Sequence, residues 1–440
     1  MTPRSPCRLA VVPALPAIAR LLPALVVTTT LLVLALCSLA ACAGGGPETP
    51  APSPAPGEGV ASDLPGVGAA AVTLEGGPAS VTATVVATRP RHLARPRPHG
   101  SPPLVLGLTT RQLAGQRVIY SYPGLTPPRE LLDAIRAGES AGVILFAENI
   151  ASRAQIRRVI ARLQKAAARS PIAQPLLIMV DQEGGYVRRL PGEPFASHKT
   201  IGLSADPTAA AGAAGRAAGL NLRGAGFNVN LGPVLDVARP AGGFIDDARR
   251  SFGTDPALVG RLGAAFVDAQ QRTAVAATAK HFPGLGAGSS FENTDHGPAT
   301  MDVPLATLRS VDEAPYEAAI AAGLRLVMAS WAVYPALDDR PAGLSPVVIG
   351  EELRGRLGFT GVTVTDSLGV AGLRGHGPIE DRAILATEAG MDLLLCAGRK
   401  LSEGTRAVDA LARALERDQL DGPAYRAAVR RVLALRADLD

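Results

Sequence analysis

Aromatic side chains, cysteine and histidine are all scarce in this chain, and each shortage removes a class of function. Phe, Tyr and Trp together make up 4% of the 440 residues, with one tryptophan, and no basic stripe interleaved with aromatics exists to grip nucleic acid. The six histidines are scattered, without a His-x-His pair or a His-Glu-x-x-His run, so a zinc centre has too few ligands and no metal is expected. Gly-x-Ser-x-Gly is absent, which removes the usual serine nucleophile turn, and no glycine-rich phosphate loop precedes a helix. No cofactor is expected. Four cysteines are too few and too unevenly placed for a disulfide framework.

The formal charge of +5 dissolves once it is located. Seven of the 44 basic residues precede Pro103 against four of the 39 acids, which leaves 37 basic and 35 acidic residues for the remainder. Nucleic acid is therefore not an expected partner. Arg4, Arg8 and Arg20 precede an apolar stretch from Leu21 to Ala41, which ends in Leu39-Ala40-Ala41-Cys42. A basic start, an apolar stretch and a small-residue cleavage site read as a secretory leader over 1–41. The ending resembles the lipobox of bacterial lipoproteins, which implies lipidation of Cys42, a membrane anchor and an extracytoplasmic location. Cys7 and Cys37 leave with the leader, and Cys396, closing the apolar run Met391 to Leu395, reads as a buried thiol. Residues 42–103 are rich in Pro, Gly and Ala and cannot bury a core, so they read as a disordered linker ahead of one catalytic domain over 104–440. A monomer is expected.

From Leu104 onward short apolar runs alternate with longer amphipathic stretches, the pattern of repeated βα units. Eight candidate strands follow: Arg117 to Tyr120, Gly142 to Phe146, Leu176 to Val180, Phe227 to Leu231, Ala276 to His281, Leu326 to Ala329, Val362 to Thr365 and Asp392 to Leu395. Eight strands close a barrel, so the fold class is α/β, a (β/α)8 TIM barrel. Between them, Asp255-Pro256 caps a helix with Leu258, Leu262, Phe266 and Ala269 on one face, and Ser345-Pro346 opens another that Gly358 closes.

Chemistry in such barrels sits at the carboxyl ends of the strands. The third strand runs into Asp181-Gln182-Glu183-Gly184-Gly185, with Arg188 and Arg189 beyond; the fourth reaches Asn230 and then Asp236; the fifth delivers Lys280 and His281; the seventh delivers Asp366. Each has a plainer explanation: Asp366 as a helix cap, Asp236 as a loop brace, the two glycines as a tight turn. Together they crowd carboxylates, cations and an imidazole into one mouth, which calls for a polar ligand and suits glycosidic bond cleavage.

The stretches Asp181 to Gly185, Asn228 to Asp236, Arg250-Ser251-Phe252-Gly253, Lys280 to Gly286 and Val362 to Leu368 resemble, in order, the signatures of family 3 glycoside hydrolases, in their β-N-acetylglucosaminidase branch. The resemblance runs from about residue 107 to the C-terminus. It implies a retaining, exo-acting enzyme that removes terminal β-linked N-acetylglucosamine from muropeptides or chitin-type oligosaccharides through a covalent glycosyl-enzyme. Asp366 matches the nucleophile, and Asp181, Arg189, Arg250, Lys280 and His281 match positions that hold the sugar hydroxyls.

The chain departs from that branch at the proton donor. The branch carries Asp-x-His in the loop after the fifth strand, whereas this loop reads Phe291-Glu292-Asn293-Thr294-Asp295-His296-Gly297, with the two residues adjacent. Leu285 and Trp331 also stand where relatives often have histidine. His296 is the expected acid/base, oriented by Asp295, with Asp295 itself as the alternative. Two other readings stay open: a β-glucosidase or β-xylosidase on the same fold, and a sugar-binding surface lipoprotein with a degenerate site.

Overall fold

A computed structural model of the protein describes residues 107–239 and 243–439. The leader and the whole linker, Cys42 included, lie outside the described residues. Eight parallel strands, β1 (Val118–Tyr120), β2 (Gly142–Ile144), β3 (Leu177–Val180), β4 (Val229–Asn230), β5 (Ala276–Phe282), β6 (Leu326–Ala329), β7 (Val362–Ser367) and β8 (Leu393–Leu395), pair in chain order. The ring closes where β8 meets β1, with Ile119 opposite Leu395. This is the expected (β/α)8 barrel.

Strand β4 is shorter than its apolar run because asparagine side chains replace part of its backbone ladder. Asn228 Oδ1 accepts from Ile178 N at 2.7 Å and its Nδ2 donates to Leu176 O at 2.9 Å; Asn230 does the same for Gln182 N and O at 2.9 and 3.0 Å. Such amide bonds satisfy buried peptide groups as a neighbouring strand does.

Inside the ring, Ile119, Leu177, Met179, Val229, Leu326, Val364 and Leu393 pack together, and Val432 and Leu435 of the C-terminal helix Gly422–Asp438 close the end where the strands begin. A second apolar layer lies between the barrel and its outer helices. The helix Pro256–Gln271 starts on the expected cap, Asp255 Oδ1 accepting from Ala257 N at 2.9 Å. Its buried face is Val259, Leu262, Gly263, Phe266, Val267 and Gln270, while Leu258 and Ala269 are only half-buried. Glycines set that rotation: a Cβ on Gly263 would meet Leu235 at 2.3 Å, and one on Gly215 of helix Pro207–Arg223 would meet the Phe266 backbone at 2.3 Å. The helix that Ser345 caps, Val347–Arg356, is wound with i to i+5 hydrogen bonds. Cys396 is buried and unpaired, and burial pushes its thiol up.

Two small hairpins, Gln182–Gly184 with Val187–Arg188 and Val333–Tyr334 with Asp338–Pro341, rise beyond the carboxyl ends of β3 and β6. In the first, Gly184 and Gly185 both have positive φ and sit against Ala196 O and Ser197 Cβ, so their turn needs glycine for conformation and for space.

Candidate active site

A cavity of ≈ 570 Å³ opens at the carboxyl end of the barrel, floored by Ile144, Leu231, Met328 and Leu395. Its walls bring together Asp181, Arg189, Arg250, Lys280, His281 and Asp366, the residues expected from sequence, with Glu183 among them. A separate cavity of ≈ 450 Å³ beside Gln174, Arg223 and Leu439 lies at the opposite end and holds none of these groups.

A bulge aims the β5 residues inward. Lys280 pairs with Met328 and Phe282 with Ala329, which leaves His281 as an extra residue in the ladder. Lys280 Nζ donates to Asp181 Oδ1 at 2.7 Å and pairs with Glu183 Oε1 at 2.8 Å. Arg250 grips the same Glu183 with two bonds, Nε to Oε2 at 2.9 Å and Nη2 to Oε1 at 2.8 Å. Burial alone would raise the Glu183 carboxyl, but Arg250 and Lys280 outweigh it and hold the group well below the usual carboxylate range. Burial would likewise lower Lys280, and Asp181 with Glu183 reverse that, so its ammonium stays charged.

Asp236 braces the loop, as its plainer reading held, and also fixes the imidazole. Its Oδ2 lies 2.8 Å from His281 Nδ1, while Oδ1 accepts from His281 N at 3.2 Å and Leu285 N at 2.8 Å. The ring therefore carries its proton on Nδ1 toward Asp236 and turns Nε2 toward Arg250 Nη2, 3.4 Å away.

Asp366 sits on a second irregularity. Val364 pairs with Leu393 and Ser367 with Leu395, so β7 carries one residue more than β8 over that stretch. Asp366 Oδ1 accepts from Ser367 N at 2.6 Å, and Trp331 Nε1 donates to Ser367 O at 2.9 Å, which steadies the peptide that carries the carboxylate. Burial raises the Asp366 carboxyl, and Asp295 adds to it against the opposing pull of His281 and the Ser367 N–H. Asp295 lines the cavity with Asp366; His296 is exposed and is not among the lining residues. Their loop is tied over β7 by Gly372 N donating to Thr294 O at 2.9 Å.

His198, unremarked in the sequence, supports the cluster from behind. Its Nδ1–H donates to Arg250 O at 2.8 Å and its ring stacks on Phe252 at 4.1 Å. The Ser197 cap on helix His198–Gly202 is the local signal that places it. Burial lowers the imidazole to about 4, so His198 stays neutral when folded. A base with a depressed folded pKa contributes stability that is present above its unfolded pKa near 6.5 and is lost as pH falls toward 4. Denaturant titrations of wild type and His198→Phe should therefore converge or cross as pH drops from 7 to 4, the wild type losing about 3 kcal/mol relative to the variant. Parallel pH profiles would contradict a buried neutral imidazole.

Comparison with known proteins accords with this geometry. Residues 110–435 match the model of the glycosyl hydrolase family 3 N-terminal domain. An uncharacterized secreted glycosyl hydrolase of Arthroderma benhamiae is 43% identical over 74% of this chain and 93% of its own length. A β-hexosaminidase of Xylella fastidiosa is 37% identical over 63% of this chain and 82% of its own. Among solved structures, a family 3 β-N-acetylglucosaminidase from Paenibacillus superposes with a TM-score of 0.70 at 36% identity, covering 76% of this chain; this chain spans 63% of that protein. A β-N-acetylhexosaminidase from Beutenbergia cavernae gives 0.68 at 34% identity, covering 74% of this chain and 98% of its own.

Proposed function

Since this chain belongs to glycosyl hydrolase family 3, we propose that it is a retaining, exo-acting β-N-acetylglucosaminidase that takes terminal β-linked N-acetylglucosamine from muropeptides or chitin-type oligosaccharides. The observation that carries the reading is Asp366, a carboxylate at the end of β7 that has a backbone N–H and no ion pair among the described residues, facing Asp181 and Glu183, which are tied to Lys280 and Arg250. Asp181, Arg189, Arg250, Lys280 and His281 hold the hydroxyls of the non-reducing sugar. The Asp366 carboxylate attacks the anomeric carbon as the glycosidic bond breaks, forming a covalent glycosyl-enzyme, and water then releases the sugar. The buried charges are already in place around the ring, so the positive charge developing on it meets fixed partners and little rearrangement is required.

The leaving oxygen takes its proton from the Asp295–His296 pair. An imidazole both gives and takes protons near neutrality, which favours His296 with Asp295 orienting it; the place of Asp295 on the cavity wall favours the carboxylate itself. The enzyme works on the extracytoplasmic side, held to the membrane through a lipid on Cys42. The fungal relative's description as secreted agrees with that side.

Chromogenic N-acetylglucosaminide, glucoside and xyloside assayed side by side test the sugar: turnover of the first should exceed the others by at least about a hundredfold. Equal or higher glucoside turnover overturns the reading. Asp295→Ala and His296→Ala then separate the proton donor. The variant lacking it should fall steeply on a substrate with a poor leaving group and little on a dinitrophenyl glycoside, which needs no proton. If neither variant shows that contrast, the loop has no acid role.

A further inference from the structure

We propose that Arg399 selects substrates whose leaving sugar carries a carboxylate, an inference that rests on the glucosaminidase reading above. Arg399 lies four residues beyond β8, on the cavity wall between Asp366 of β7 and Phe146 beyond β2. The Asp181, Lys280 and Arg250 cluster stands on the other arc of the barrel, around β3 to β5. When that cluster holds the terminal ring, the next sugar must lie along the part of the wall the cluster does not occupy, and Arg399 is the cation on that part.

The cavity's other cations differ in their commitments. Lys280 and Arg250 are engaged by Asp181 and Glu183, whereas Arg189 stands with them on the β3 side of the cavity, its buried Nε without a hydrogen-bond partner among the described residues. Arg399 has its guanidinium over the Phe146 ring, 4.9 Å from the centroid, and its facing carboxylate, Glu148 Oε1, is 3.7 Å from Nε, beyond hydrogen-bonding distance. That pair is partly exposed, at 54% and 39%, so water screens it. Stacked on an aromatic face, a guanidinium keeps its planar edge of N–H donors for a bidentate acceptor, and a carboxylate matches that fork.

The backbone beneath it is built rather than slack. Arg399 has φ +57, a left-handed conformation uncommon for a residue with a side chain. It is held there by Arg399 N donating to Ser121 Oγ at 2.9 Å, by Ser121 Oγ donating to Cys396 O at 2.7 Å, and by Gly398 N donating to Glu403 Oε2 at 2.9 Å. Electrostatics point the same way: Asp295 and Asp366 both line the cavity, and an anionic leaving group approaching them would be repelled without a cation on its own side.

The test uses three disaccharides that share a terminal β-N-acetylglucosamine: one linked to N-acetylmuramic acid, its methyl ester, and neutral chitobiose. Wild type should favour the acid over the ester by roughly tenfold in kcat/KM. In Arg399→Met that ratio should fall to near one, the loss falling mainly on the acid, and Arg399→Lys should recover part of it. Should Arg399→Met not fold, Glu148→Gln removes the competing carboxylate and the acid-to-ester ratio should rise. A wild type that treats acid and ester alike, a methionine variant that loses both in equal proportion, or a ratio that does not rise in Glu148→Gln overturns the assignment. If chitobiose is cleaved in those cases, the glucosaminidase reading survives; release of N-acetylglucosamine from none of the three overturns both.

Discussion

Asp366→Asn should lower kcat for N-acetylglucosaminide hydrolysis by a factor of about a thousand or more while leaving the protein as stable as wild type, or more so. The two halves share one cause. The carboxylate is half-buried and desolvation raises it from its ordinary range, so ionisation at neutral pH costs the folded state free energy that a neutral amide does not. Its hydrogen bond, from Ser367 N, reaches an oxygen that asparagine retains. Activity and stability should therefore move in opposite directions, which a thermal melt beside a kinetic assay reads directly. A variant that melts well below wild type would mean that Asp366 holds the fold, as the helix-cap reading supposed. The same raised carboxyl predicts the acid limb of the pH profile. The nucleophile must be ionised, so kcat/KM should fall as pH drops through a value above the ordinary aspartate range.

The barrel was largely legible because burial on both sides makes each parallel strand a continuous apolar run, and runs are countable. All eight expected strands pair in order. Register was not legible. The extra residue at His281 and the mismatch between β7 and β8 depend on the neighbouring strand, and nothing within Lys280 to Gly284 or Thr365 to Ser367 announces them. The site shows the same division. Residue types at strand ends can be read locally, which brings Asp181, Lys280, His281 and Asp366 to one mouth. Pairings across long sequence separations cannot, so Glu183 emerged as the shared partner of Arg250 and Lys280 only in three dimensions. His198 and Arg399 escaped for a related reason, since one opens a five-residue helix and the other stands in a loop, and the local pattern of each resembles any polar turn. On the helix Pro256–Gln271 the expected Leu258, Leu262 and Phe266 do meet the core, while the part played by Gly263 was not legible, since glycines carry no hydropathy signal yet decide how closely helices approach.

Replacing Lys280 with methionine removes the charge on which the cluster's balance depends, and the damage should be of two kinds. Lys280, at 3% exposure, is the ammonium that faces both Asp181 and Glu183. Glu183 keeps Arg250, but Asp181 loses its 2.7 Å partner. Breaking a buried pair from one side typically costs about 3–5 kcal/mol because the other charge stays desolvated. Lys280→Met should therefore unfold at markedly lower denaturant and lose turnover together. Its deficit should shrink in acid, where protonating the stranded carboxylates removes their charge, whereas in wild type the depressed Glu183 carboxyl makes acid destabilising. Adding Asp181→Asn to the variant should return part of the stability and none of the activity, because the amide removes the stranded charge without restoring a donor to the sugar. A Lys280→Met protein as stable as wild type at neutral pH would show that Arg250 alone neutralises the cluster, and Lys280 would then be a substrate contact with no share in the fold.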